Sequence, residues 1–164
     1  MGPNIGLRQS LQLRQQLVMT QRLQQALKLL QVPTLELEQI LRHEFGHVLA
    51  LGMTRKKVPF WFTEGLSVFL EEYPRGITWD QNLKAAWVDG GLVPVDSLTL
   101  AFTRPKGMNQ RLLAYHQSGI ILRDLVARHG WEAVPDLLRA FGEGTPLAEA
   151  VPQVLGESYE TFAA

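Results

Sequence analysis

Apolar positions recur three and four residues apart through most of the chain, and no strong alternating run marks a strand. The first clear stripe, Leu23, Ala26, Leu27 and Leu30, belongs to a helix that Thr20 can cap and that runs to about Gln31 before Pro33 ends it. Thr34 caps the next helix, with Glu36 and Glu38 in a first turn whose free amides favour negative charge. Along that helix Leu37, Leu41, Val48 and Leu51, with Ile40, Phe45 and Leu49 beside them, form a stripe expected to pack into a core, and Gly52 supplies the stop. Pro59 suits the start of a helix through PFWFTEGLSVFLEE. A short helix is expected from Trp79 to Val88, stopped by Gly90 and Gly91, and the stretch from Leu92 to Gly107 reads as irregular, with Pro94 and Pro105 in it. Asn109 can cap a long helix to about His129, ended by Gly130, and two small amphipathic helices follow, Trp131 to Phe141 and Thr145 to Leu155. The fold expected from this pattern is mainly α, with little or no β-sheet.

The pattern changes character near residue 40. The first forty positions hold nine Gln and ten Leu, no aromatic residue, and Arg8, Arg14, Arg22 and Lys28 as the basic side chains. A Gln-rich, Leu-striped hairpin of that size cannot bury itself alone and needs a surface to dock on. The division expected is 1–33 as a helical hairpin, its second helix continuing to about 40, and 34–164 as one globular domain.

Composition narrows the choices further. The chain has 164 residues, 46% hydrophobic and 20% charged, which is enough to bury one core. Its formal net charge is zero, so no overall field draws it to nucleic acid or to a membrane surface. The absence of cysteine excludes disulfides, thiolate ligands and a cysteine nucleophile. No apolar run reaches membrane-spanning length and the N-terminus lacks the charged start and apolar core of a signal peptide, so a cytoplasmic protein is expected.

The candidate chemistry sits in His43-Glu44-Phe45-Gly46-His47, an HExxH motif. On a helix, residues four apart share a face, so His43 and His47 can direct two imidazoles at one metal ion, with Glu44 leaning over the open side as a base for water. Glu64 follows His47 by seventeen positions, room for a loop to return a second helix against the first. Two His and one carboxylate leave a fourth tetrahedral position for water, the pattern of a catalytic zinc. Glu71 and His116 are the competing third ligands. Tyr115 is either a core tyrosine or a phenol that donates to the oxyanion of a tetrahedral intermediate. Arg55, Lys56 and Lys57 read as a solvated loop, and His129 as a favourable charge at a helix C-terminus.

Two resemblances sharpen these readings. The segments QQLVMT, LQQALKLLQ and TLELEQ, in that order, closely resemble the N-terminal activator-interacting region of the bacterial enhancer-dependent sigma factor, sigma-54. The resemblance covers about residues 6–40 and implies contact there with an AAA+ activator or with RNA polymerase. Gln21 departs from it, because the family usually has proline after Met-Thr, and no helix-turn-helix or DNA-reading box follows in the rest of the chain. From about residue 41, LRHEFGHVL, PFWFTEGLSVFLE, LLAYHQSGIILRDLVARHGWEAVPDLLRAFGEG and LAEAVPQVLGESYETF resemble the gluzincin metallopeptidases, among them the short peptidase-MA-like domains. That resemblance implies His43, His47 and Glu64 as zinc ligands, Glu44 as the general base, and a peptide or protein as substrate. The spacing from His47 to Glu64 is slightly shorter than in the best-known gluzincin aminopeptidases, which argues against amino-peptidase specificity. Zincins ordinarily carry a β-sheet before the metal helix to hold extended substrate; here the sigma-like hairpin occupies that place. Zinc-dependent peptide hydrolysis is therefore the expected activity, against the alternatives of a non-catalytic interaction module and of a mosaic of two sequences without a joint function.

Overall fold

A computed structural model describes residues 34–71 and 77–164. The chain divides into two units, Met1–Pro33 and Thr34–Ala164; the expected N-terminal hairpin and its Leu23 to Leu30 stripe lie outside the described residues. The described residues form eight helices and no strand: α1 (Thr34–Thr54), α2 (Phe60–Leu70), α3 (Ile77–Val88), α4 (Val95–Thr103), α5 (Met108–His129), α6 (Ala133–Glu143), α7 (Leu147–Leu155) and α8 (Tyr159–Ala163). The domain is mainly α, as the periodicity requires.

The short helix α2 is the centre. Every residue from Trp61 to Val68 is buried, and a helix covered on all sides must have neighbours all round. It packs on α1 and α5, with α4 also against it. Three small residues let these helices approach: a Cβ built on Gly46 of α1 would lie 2.7 Å from Cα of Ser67, one on Gly65 of α2 2.7 Å from the Ser118 carbonyl oxygen, and one on Gly119 of α5 2.5 Å from Val68. The aromatic and aliphatic core continues from Phe62, which meets Phe141 edge to face at 5.2 Å, through Leu98, Leu122, Leu125, Leu137 and Val151.

Four expectations are corrected. The first concerns the face of α1 that turns inward. Its buried residues are Gly46, Ala50 and Thr54, whereas Leu41, Val48 and Phe45 on the opposite side are 60%, 67% and 56% exposed. Close approach of α2 leaves room only for small residues, so the apolar stripe faces away from this core despite its helical spacing. By the same geometry Gly46 lies against Ser67.

The second correction is the end of α1. The helix passes through exposed Gly52 to Thr54, whose hydroxyl donates to the Ala50 carbonyl at 2.6 Å. The turn is made by Arg55 and Lys56 at φ 50° and 66°, and the Lys56 amide donates back to the Leu51 carbonyl at 3.2 Å. Third, the stretch from Leu92 to Gly107 contains α4, in which Leu98, Ala101 and Phe102 make a buried stripe; Pro94 is there as the residue before a first helical turn, a place proline tolerates. Fourth, Asn109 does not cap α5, which begins at Met108 after Gly107 without a side-chain cap. Gln110 accepts from the Lys106 amide at 2.7 Å instead.

Candidate metal centre

His43 and His47 are one turn apart on the inner side of α1, and their Nε2 atoms lie 3.2 Å from one another with the rings nearly perpendicular at 78°. Glu64 reaches the same point from α2, its Oε2 3.8 Å from Nε2 of His43 and 3.6 Å from Nε2 of His47. The three side chains thus offer ligand atoms all within 4.8 Å of each other.

The outer nitrogens of both imidazoles are occupied. Nδ1 of His43 stands 2.7 Å from Oε1 of Glu71, and Nδ1 of His47 is 3.0 Å from Oγ1 of Thr63. A carboxylate only accepts, so it holds the His43 proton on Nδ1 and turns the Nε2 lone pair inward. Thr63 can do the same for His47. Both partners come from α2 or its end: Thr63 precedes Glu64, and Glu71 is the residue after the last helical position, two turns beyond Glu64 on the same side. In the sequence Glu71 reads only as a rival ligand, and nothing there singles out Thr63. A signal was present for Glu71, because a carboxylate at a helix C-terminus is disfavoured by the helix dipole and calls for a cationic partner.

The electrostatics follow from these contacts. The hydrogen bond to Glu71, with the negative field of Glu71, Glu64 and Glu44, raises the His43 pKa above the ordinary imidazole value against the opposing effect of burial. His47 is pushed down, by burial first and then by the neighbouring His43. Glu64, only 6% exposed, is pushed up by burial, with His43, Tyr115 and Arg111 opposing the shift.

Tyr115 and Glu44 border the same centre from different sides. The Tyr115 phenol on α5 lies on the Glu64 carboxylate, and burial together with that negative charge raises its pKa; its ring is edge to face with Phe102 at 4.7 Å. Arg111, one turn before Tyr115, donates to the Phe102 carbonyl at 2.8 Å. Glu44 is exposed and, with His43, Glu71 and Glu36, lines a cleft of about 330 Å³. His116 is not brought to the centre: it is buried on another flank of α5, its Nε2 3.4 Å from Asp80. His129, read as a dipole partner, stands 3.1 Å from Glu157.

These residues fit a metal ion. Oε2 of Glu64 is buried without a hydrogen-bond partner, a costly state for a carboxylate oxygen, and it lies 3.8 and 3.6 Å from the Nε2 atoms of His43 and His47, whose lone pairs turn inward when Glu71 and Thr63 hold the protons on Nδ1. A cation satisfies all three atoms together. Two imidazoles and one carboxylate are the donor set of a catalytic zinc site.

Residues 37–162 match the family model of the Peptidase MA superfamily. Residues 8–45 match the model described as sigma-54 factor, activator interacting domain. Comparison with curated proteins and with solved structures gives no match. The two family matches overlap from residue 37 to residue 45, inside α1.

Proposed function

Because the chain belongs to the Peptidase MA superfamily, we propose that it is a zinc-dependent peptidase, with His43, His47 and Glu64 as the metal ligands and Glu44 as the general base. The observation that carries this reading is the convergence of two oriented Nε2 atoms on the orphaned Oε2 of Glu64. A zinc ion there supplies a Lewis acid for the scissile carbonyl and lowers the pKa of water.

The chain's own groups do the remaining work. Glu44 takes a proton from the attacking water as its oxygen bonds to the carbonyl carbon, and delivers that proton to the amide nitrogen as the C–N bond breaks. Glu71 and Thr63 keep the imidazoles turned inward while this happens. Tyr115 donates its one O–H to Glu64 at rest, and in this reading that O–H turns to the oxyanion as the tetrahedral intermediate forms. The test is zinc stoichiometry of protein purified without added metal, together with hydrolysis of a peptide mixture by the parent and by Glu44→Gln. Near-unit zinc in both proteins, with hydrolysis only in the parent, supports the reading. Parent protein without zinc rejects it.

A second reading rests on the N-terminal match to the activator interacting domain. In it, residues 6–40 bind an AAA+ activator or RNA polymerase, with residues 1–33 acting as a docking hairpin ahead of the domain 34–164, and these partners locate the protein in the cytoplasm. No helix among the described residues is long and apolar enough to cross a membrane. A pull-down of an AAA+ activator by the full chain, lost on deleting residues 6–33, distinguishes this reading from peptide hydrolysis alone.

A further inference from the structure

The helix that brings Tyr115 to the metal centre also walls a second cleft. It has a volume of about 460 Å³, lies between α3 and α5, and is lined by Trp79, Asn82, Asn109, Leu112, Leu113 and His116. That volume is within the range of ligand pockets. Positions 109, 112, 113 and 116 share one face of α5, and the face of Arg111 and Tyr115 lies about 130° round the helix axis. A helix with its side chains has a radius of roughly 5–6 Å, so the two faces are separated by roughly 9–11 Å. Extended peptide advances roughly 3.3 Å per residue and covers that distance in about three residues. Leu112, 45% exposed, lies at the edge of the cleft face nearer Tyr115.

We infer that this cleft is a substrate subsite, receiving an aromatic side chain about three residues from the bond that is cut; the inference rests on the peptidase reading. The indole of Trp79 and the imidazole of His116 meet at 66° with centroids 5.3 Å apart, which makes an aromatic corner. A third ring seated beside the indole gains edge-to-face or offset contact with Trp79, and His116, only 6% exposed, backs it. Leu112 and Leu113 add apolar wall beside it. The corner is held in place, because His116 is buried and its Nε2 is 3.4 Å from the Asp80 carboxylate, and a preorganised pocket loses little freedom on binding. The amides of Asn82 and Asn109 each carry a donor and an acceptor, the pair of functions that peptide main chain requires.

The test uses the full zinc-loaded chain and a set of peptides that differ at one position, Phe, Leu, Lys or Glu, scanned along the sequence. The expected result is at least a tenfold preference in kcat/KM for Phe, expressed mainly in KM, at one position about three residues from the cleaved bond. Trp79→Ala removes this preference at unchanged zinc content, and Asn82→Ala weakens all peptides alike while keeping it. A preference for Lys at that position, or an aromatic preference that survives in Trp79→Ala, overturns the inference and leaves the peptidase reading intact. A binding measurement separates the two if no peptide is cut: in Glu44→Gln, the Phe peptide should change tryptophan emission, and the change should vanish in the double variant with Trp79→Phe. No change with any aromatic peptide overturns the subsite whatever the hydrolytic result.

Discussion

The Glu71 carboxylate lies 2.7 Å from Nδ1 of His43, joining the end of α2 to the middle of α1 through the outer edge of the proposed metal centre. This contact sets the orientation of one ligand without touching the metal position. Glu71→Ala should therefore weaken zinc binding by about 10–100-fold, the usual loss for such an orienting partner, with Glu71→Gln less affected because its amide oxygen still accepts. Glu64→Ala should cost more, since a two-imidazole site is incomplete, and His116→Ala should change little. Competition against a chelating indicator ranks the four variants. If His116→Ala proves worse than Glu64→Ala, the ligand set has been misassigned.

The same contact fixes a pH dependence. Zinc can bind Nε2 of His43 only after the imidazole has lost its second proton, and Glu71 raises the pKa of that loss above the ordinary value. Zinc affinity should climb as pH rises towards that raised pKa and flatten above it. In Glu71→Ala the midpoint should move down towards the ordinary histidine value. A titration of affinity against pH whose midpoint is the same in both proteins would contradict the role given to Glu71.

The metal motif and the helices that bear it could be read from the sequence because their signals are local. HExxH needs only the pitch of one helix, and Pro59 marks the start of the next. The orientation of α1 was not legible, since Leu37, Leu41, Val48 and Leu51 carry the stronger apolar signal while the inner face consists of Gly46, Ala50 and Thr54. Which face turns inward is decided by how near α2 comes, and that is a tertiary fact. The helix α4 is hidden in the sequence for a different reason. Pro94 and Pro105 read as breakers, yet Pro94 stands immediately before a first turn that has no use for its missing N–H. The joint between the two family matches shows no proline or irregularity, because both run through one unbroken helix.

Away from the metal, Tyr159 gives a second pH effect. Its hydroxyl donates to Asp96, and burial with this acceptor pushes the phenol up from 10.0 to about 12. A group held protonated in the fold adds stability that is complete below the unfolded pKa and is lost as pH rises through the folded value. The alkaline side of the stability curve should thus fall between pH 10 and about 12. Tyr159→Phe should be less stable at neutral pH but lose less over that window. Parallel alkaline curves for the two proteins, measured by denaturant unfolding, would contradict this assignment.

Glycine to alanine at two places on α1 should have opposite effects. Gly52 is exposed and a Cβ there meets nothing within 4 Å, so Gly52→Ala should stabilise the domain by about 0.5–1 kcal/mol through helix propensity alone. Gly46→Ala has the same propensity gain, but its Cβ would lie 2.6 Å from Oγ and 2.7 Å from Cα of Ser67. The hydroxyl can rotate away; the backbone carbon cannot, and relief requires α1 and α2 to separate. Overpacking of this kind costs about 1–3 kcal/mol, which exceeds the propensity gain over most of its range. Separation also moves His43 and His47 on α1 away from Glu64 on α2, so Gly46→Ala should lower zinc affinity as well as the melting temperature, whereas Gly52→Ala should leave zinc affinity alone. Equal or raised melting temperature in Gly46→Ala, with undiminished zinc binding, would mean that the two helices are not as close as the described packing requires.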